Sequence, residues 1–377
     1  MSNALALNAL RIGLFRFTIT PVQSLEVPAV NKANMLRGGF GHAFRRLSCI
    51  PQCRDTKACP LAASCPYKIL FEPSPPPGAD RLSKNQDIPR PFVFRAPRTH
   101  QTRFEKGERF EFGLVLIGRA LDFLPYFVLS FRELAGEGLG LNRAKCVLER
   151  VEEIDLSSCA VAALSERRER NSPDDCAVGA DRCVRPDARL VYSVEDQLCR
   201  ATESINASQW IEARLRQLAL VGAASGRPRE RKAALDPDVP DRITIRFLTP
   251  TFLRADGEVV RRPEFHHLFK RLRDRINAIS TFFGDGPLDI DFKGLGERAE
   301  KVRTVSTNTE WVERFRTSSK TRQRHELSGF VGSVTYDLCP DTSNLAPVFL
   351  PWLALGELLH VGKHTAWGNG WFEVRSI

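Results

Sequence analysis

No uninterrupted apolar stretch of this 377-residue chain reaches the ~18 residues that a membrane-spanning helix requires. No transmembrane segment, and no membrane partner, is therefore expected. A secretory leader is not expected either. Met1 to Leu10 has no basic residue, and Arg11 and Arg16 interrupt the apolar run that follows. The expectation is a cytoplasmic protein, in which ten cysteines are thiols or metal ligands instead of disulfides. A Walker phosphate loop is also missing. The spacing Gly356 to Gly362 before Lys363 is one residue too long, and His364 stands where Ser or Thr should be. That removes the P-loop route to phosphate, though not phosphate binding by other means.

What is present in excess is positive charge. Formal net charge is +10, which favours a polyanionic partner without naming one. Arginine outnumbers lysine, and its planar fork binds phosphate in bidentate fashion and stacks on bases, so nucleic acid is the leading class. The charge is uneven. Residues 1–155 carry 22 basic and 15 acidic side chains (net +7), residues 240–377 carry 20 and 17 (net +3), and residues 156–239 carry 13 of each. We therefore read two domains, 1–155 and 240–377, joined by a partly helical connecting region, 156–239, with one helix near Glu195 to Leu220.

The two ends follow one plan. Arg11 to Thr20 reads as a strand closed by Pro21, and Ile243 to Phe247 reads as a strand closed by Thr249-Pro250. A helix follows each. In the first, Leu36, Phe40, Ala43, Phe44 and Leu47 form an apolar stripe, and His42 lies about 145° from its centre, on the face of Arg45 and Arg46. In the second, Phe265, Leu268, Phe269, Leu272, Ile276, Ile279 and Phe283 share a face, with His267 nearly opposite and Arg271 directed elsewhere. Strands at Phe110 to Ile117, Cys146 to Val151 and Gly329 to Tyr336, and apolar helices at Leu121 to Leu134 and Val348 to Leu359, complete the pattern. Strand, helix, strands, helix, glycine turn, strand is the split βαβ order. The expected class is α+β, with tandem ferredoxin-like (RRM-like, βαββαβ) domains.

Three further stretches carry chemistry. Cys49-x3-Cys53-x5-Cys59-x5-Cys65 is an insertion whose four thiols in a tetrahedron suit structural zinc; such a full shell leaves no place for a catalytic water. Between the central strands of the second half, Arg314 to His325 includes Arg316, Lys320, Arg322 and Arg324 with hydroxyls between them, either a solvated face or a phosphate track. Near the end, Gly362, Gly368 and Gly370 stand among Lys363, His364 and Trp367. Glycines let backbone approach a ligand closely, and bare N–H groups beside a lysine suit a phosphate.

Leu36-Arg37-Gly38-Gly39-Phe40-Gly41-His42-Ala43-Phe44-Arg45, Cys65-Pro66-Tyr67, Gly138-Leu139-Gly140-Leu141-Asn142-Arg143 and the terminal Leu358-Leu359-His360-Val361-Gly362-Lys363…Gly368-Asn369-Gly370 resemble the CRISPR-associated repeat-processing endoribonucleases of the RAMP superfamily. The resemblance implies binding of CRISPR repeat RNA and cleavage of precursor crRNA without a catalytic metal, by 2′-hydroxyl attack that leaves a 2′,3′-cyclic phosphate. It implies a catalytic histidine on or beside the first helix, which is His42, with Arg45 or Arg46 as the cation and His364 as the rival. Arg37, Arg271, Arg316, Lys320, Arg322, Arg324, Gly362, Lys363, Gly368 and Gly370 are the expected RNA contacts. His360 is expected to cap or pack the helix end. The competing reading is a non-catalytic RNA-binding subunit among other CRISPR effector subunits; a zinc-dependent DNA-binding module is the third.

Overall fold

The structure is a computed structural model that describes residue 7 and residues 9–50, 53, 59–61, 64–73, 88–156, 187–224, 240–284, 286–317, 323–340 and 343–377. It is a mixed α+β molecule built on two antiparallel sheets. The first half contains β1 (Arg11–Pro21), α1 (Lys32–Ser48), α2 (Pro66–Phe71), β2 (Phe92–Arg95), β3 (Phe110–Ile117), α3 (Leu124–Glu137), β4 (Cys146–Ile154) and β5 (Ala188–Ser193). Its sheet runs β2-β3-β1-β4-β5. After α4 (Ala207–Ala224), the second half contains β6 (Arg242–Thr251), α5 (Phe265–Phe283), α6 (Phe292–Lys301), β7 (Arg303–Val312), the hairpin β8 (Phe315–Thr317) and β9 (Arg324–Glu326), β10 (Gly329–Asp337), α7 (Ala346–Leu359) and β11 (Phe372–Ser376). Its sheet runs β7-β10-β6-β11. Around a central first strand, both sheets place their strands in the same relative order.

The helices form where the spacing places them. Leu36, Phe40, Ala43 and Phe44 on α1 are buried and His42 is exposed, as a 3.6-residue repeat dictates. Continuous α-helix through Gly38, Gly39 and Gly41 shows that packing outweighs their low propensity. Phe40 does much of that packing, stacked on Phe127 at 4.9 Å and on Phe131 at 5.2 Å, both from α3. Pro125 sits in the first turn of α3, where its missing N–H costs nothing. In β1, alternation sends Phe15, Phe17 and Ile19 into the core shared with α1 and α3. Ile12, with Val93, Val115 and Ile117, joins the other core, beneath α5 and α7. The two halves thus share an apolar boundary instead of hanging on a linker.

Inside the stretch read as a connecting region, Ala188–Ser193 pairs with β4 and extends the first sheet, with Val191 and Tyr192 fully buried. The helix there starts at Ala207, later than the sequence expectation. It packs on the second half through polar as well as apolar contacts. Trp210 Nε1 donates to the Ala354 carbonyl at 2.8 Å. Arg214 grips Glu357 of α7 with two bonds of 2.5 and 2.8 Å and donates to the Val374 carbonyl at 2.6 Å, while Glu357 accepts from Val374 N–H at 2.7 Å. Among the described residues no helix is long and apolar enough to cross a membrane.

Both side chains of the Arg214–Glu357 pair are buried, so removing one partner strands the other charge away from water. Arg214→Ala is expected to lower unfolding free energy by about 3–5 kcal/mol in a urea titration. A change of under ~1 kcal/mol would mean that water already reaches Glu357.

Candidate functional site

The site grows from the turn that joins α7 to β11. The helix ends at Leu359, and His360 takes φ 60° and ψ 173°. Gly362, Gly368 and Gly370 all have positive φ. At Gly368 the need for glycine is steric as well. A Cβ there would stand 2.7 Å from the Phe94 carbonyl and 2.8 Å from Ala33 Cβ, so the turn lies directly against β2 and α1 of the other half. His360 is wholly buried and its Nδ1 meets the Asn369 carbonyl at 3.1 Å. Its ring stacks on Trp371, with centroids 5.7 Å apart. Arg275 Nε donates to the Leu359 carbonyl at 3.0 Å and Arg95 donates to the Glu357 carbonyl, so two cations cap the last turn of α7. Desolvation, reinforced by Arg95 and Arg275, holds the His360 pKa well below its ordinary 6.5. It is a neutral structural group, as the expected packing role requires.

The turn also presents Trp367, and around it the two halves converge. Arg316 of the β8–β9 hairpin lies 3.8 Å over the indole, and Arg37 of α1 lies 5.7 Å from it and 4.9 Å from the Phe71 ring. His364 stacks on the same indole, centroids 5.3 Å apart and planes 22° from parallel. Arg316 donates to Asn34 Oδ1 of α1 at 3.1 Å. The electrostatics are those of a site short of negative charge. Neither Arg37 nor Arg316 makes an ion pair among the described residues, and Nε of each is buried with no hydrogen-bond partner. Desolvation, with Arg90 and Arg316 adding to it and Tyr67 opposing, pulls the Arg37 pKa down to about 10; burial also lowers that of Arg316. An anion placed between them would restore what burial removes.

The structure thus brings together Arg37, Arg316, His364 and Gly368, and places the other expected residues elsewhere. His42 is on the exposed face of α1, about 140° round the helix from Arg37 at 100° per residue. Arg45 lies 5.7 Å over Tyr67. Arg46 is engaged by Glu137 and, at 3.7 Å, by Glu133, both on α3. Arg271, on α5, pairs with Asp274 at 3.4 Å. Arg324 stacks on Phe315 at 3.7 Å within the hairpin. Lys363 lies 5.3 Å over Phe252. Lys320 and Arg322 lie outside the described residues. His267 is half-buried, not solvated, with its ring 4.0 Å from that of His266. Sequence reasoning did not assign Trp367, Phe71 or Asn34; a tryptophan between glycines and cations was the available signal for the first.

The structural zinc expected from the cysteine spacing is not supported. Cys49, Cys53, Cys59 and Cys65 do line one cavity of about 100 Å3 beside α2. Yet among the described residues no group of three or more His, Cys, Asp or Glu is placed to hold a metal ion. The four cysteines are free thiols, with Cys53 hydrogen-bonded to Cys59 and Cys49. Desolvation, then the Cys59 and Cys49 neighbours, push the Cys53 pKa up to about 11.

The protein is a two-sheet α+β fold in which Arg37 and Arg316, without ion pairs among the described residues, meet over Trp367. Residues 245–372 match the model of the family described as CRISPR-associated endoribonuclease Cas6, and residues 10–174 match a model described as an N-terminal domain. The Cas6 model covers 128 of the 377 residues, and over that part the chain is similar to the family that its sequence motifs resemble. No curated protein matches the chain. Among solved structures, a partial Cas6-RT-Cas1–Cas2 complex is 12% identical, with a TM-score of 0.52 over 98% of this chain and 47% of that one. Thermus thermophilus Cas6 is 14% identical, with a TM-score of 0.48 over 97% of this chain and 99% of that one.

Two measurements test this electrostatic account. Because the folded His360 pKa lies below its unfolded value, the unfolded chain takes up a proton first as pH falls through 6.5. Stability is then lost below that pH at up to about 1.4 kcal/mol per pH unit. His360→Gln is expected to flatten the decline in unfolding free energy between pH 7 and pH 5; an unchanged slope would mean that His360 charges in the fold. Arg37→Met removes a desolvated, unpaired charge, so its urea midpoint should match or exceed wild type; a clear drop would point to a hidden partner.

Proposed function

We propose that the protein binds CRISPR repeat RNA in the cleft between its halves and cleaves precursor crRNA there, using its own side chains and no catalytic metal. The observation that carries this reading is the convergence of Arg37, Arg316 and His364 on Trp367, where two half-buried arginines, each with a buried Nε lacking a hydrogen-bond partner, have no ion pair among the described residues. A phosphodiester supplies an anion. We also read the halves as tandem ferredoxin-like domains, supported by their shared strand order and by the split βαβ sequence of elements. The boundaries 1–155, 156–239 and 240–377 stay as the proposed division, with β5 contributed by the middle segment.

In the proposed reaction a base accepts the proton of the 2′-hydroxyl. The 2′-oxygen attacks the adjacent phosphorus, and the bond from phosphorus to the 5′-oxygen breaks as an acid protonates that oxygen. The products are a 2′,3′-cyclic phosphate and a 5′-hydroxyl. Arg37 and Arg316 would stabilise charge on the phosphorane. Histidine serves as base or acid near neutral pH. His364 is the candidate that shares a ring with both guanidiniums, and His42 is the candidate on the first helix. Arg45 stands beside His42 on that face. Arg46, held by two carboxylates, is less suited to a phosphorane.

The test is single-turnover cleavage of repeat RNA from the source genome in EDTA, with binding measured in parallel. His364→Ala is expected to slow cleavage roughly 10²–10⁴-fold with little change in affinity. A loss of that size from His42→Ala alone would move proton transfer to α1. Tight binding by wild type with no cleavage would instead make this chain an RNA-holding subunit.

A further inference from the structure

Outside the cleft, a second pair of aromatic rings carries cations in the same manner. Phe252 follows β6 directly, and its ring lies 6.0 Å from that of Trp311 on β7. Arg261 sits 4.6 Å over Trp311, while Lys363 and Arg254 sit 5.3 and 5.9 Å over Phe252. All three cations are exposed, and none makes an ion pair among the described residues. Some other exposed arginines are neutralised: Arg11 by Asp122, Arg46 by Glu137, Arg109 by Glu149. Here three cations without carboxylate partners among the described residues gather on two neighbouring rings.

The patch is also continuous with the cleft. Lys363 N–H donates to the Phe252 carbonyl at 3.1 Å. Gly362, at φ 84°, presses on the same carbonyl, from which a Cβ would stand 2.3 Å. The glycine turn thus leads from Trp367 and His364 through Lys363 to Phe252 and on to Trp311. Beyond it, β7 is an edge strand of its sheet, with Ser306, Thr307 and Asn308 exposed.

We propose that Trp311, Phe252, Arg261, Arg254 and Lys363 form a second subsite that holds an unpaired stretch of the RNA. One base stacks over Trp311 and its Arg261 cover, and the flanking phosphates lie against Arg254 and Lys363. Aromatic faces with unpaired cations suit single strands because every base offers a π face and every linkage a charge. A protein partner would need acidic groups to match three exposed cations, whereas the adjoining cleft already asks for phosphate. The subsite rests on the RNA reading above but makes a separate prediction.

The experiment measures fluorescence anisotropy of two labelled probes on the full chain, a short oligouridylate and an abasic ribose-phosphate oligomer of equal length. Trp311→Ala and Trp311→Leu are both expected to weaken oligouridylate binding about tenfold while leaving the abasic probe unchanged. The leucine variant keeps apolar cover on the core, so it separates stacking from folding. Arg261→Gln should weaken both probes, and Arg216→Gln on α4, an exposed cation paired with Glu212, neither. The subsite is overturned if Trp311→Leu binds oligouridylate as wild type does, or loses as much on the abasic probe. Wild type that binds neither oligouridylate nor repeat RNA overturns the RNA reading as well; wild type that binds repeat RNA while Trp311→Leu is indistinguishable from it overturns the subsite alone.

Discussion

A turn of backbone wedged between two sheets is the constraint on which this structure depends. Gly368 brings the α7–β11 connection against Phe94 and Ala33 at distances that any side chain would close. Three features follow from that approach. Trp367 is delivered to the first half, where α1 and α2 supply Arg37 and Phe71. His360 is shut away from water, so the helix end is capped by Arg95 and Arg275 and not by a charged histidine. The hairpin β8–β9, an excursion from the second sheet, gains an anchor on α1 through Arg316 and Asn34. Remove the close approach and each residue keeps its own fold but loses its neighbours.

The frame that holds the turn in place is mostly apolar, and that division of labour matters for function. Ile12, Val93, Val115 and Ile117 of the first sheet belong to the core under α5 and α7, so the halves cannot rotate freely about a linker. α4 adds a deeply buried ion pair, Arg214 with Glu357, whose carboxylate also takes the Val374 N–H. Opposite charges are matched where the task is architecture. At Trp367 they are left unmatched, and the Arg37 pKa falls to about 10 as a result. A protein that desolvates guanidiniums without pairing them carries a cost in the free state that an anion reverses.

How much of this was legible follows from what periodicity can report. The stripe of α1 and the strands Phe110–Ile117 and Gly329–Asp337 were readable because their apolar faces repeat at 3.6 or two residues. β2, four residues long with Phe92, Val93 and Phe94 all buried, has no alternation to detect. β5 was hidden inside a charge-neutral stretch, although its Val191 and Tyr192 are core. At the site, the glycine turn, Arg316 and His364 were singled out from local composition and Arg37 from the family resemblance. Their convergence could not be read this way, since Arg37 and Arg316 are 279 positions apart along the chain and meet only through tertiary packing. The cysteine spacing likewise counts thiols without fixing their relative placement, and among the described residues no group of three or more His, Cys, Asp or Glu is placed to hold a metal ion.

The composite origin of the cleft bears on what an RNA ligand would do to the protein. Its cations come from α1 and from a hairpin inserted in the second sheet, and its indole from the final turn, three segments joined at that point chiefly by stacking on that indole and by the Arg316–Asn34 bond. Like charges drawn together in a low-dielectric cleft repel, so the empty cleft is held by packing against its own electrostatics. A phosphate between Arg37 and Arg316 turns that repulsion into attraction through a shared counter-charge. Binding and tightening of the hairpin against α1 are then one event, and RNA affinity and hairpin order are linked by the same free energy.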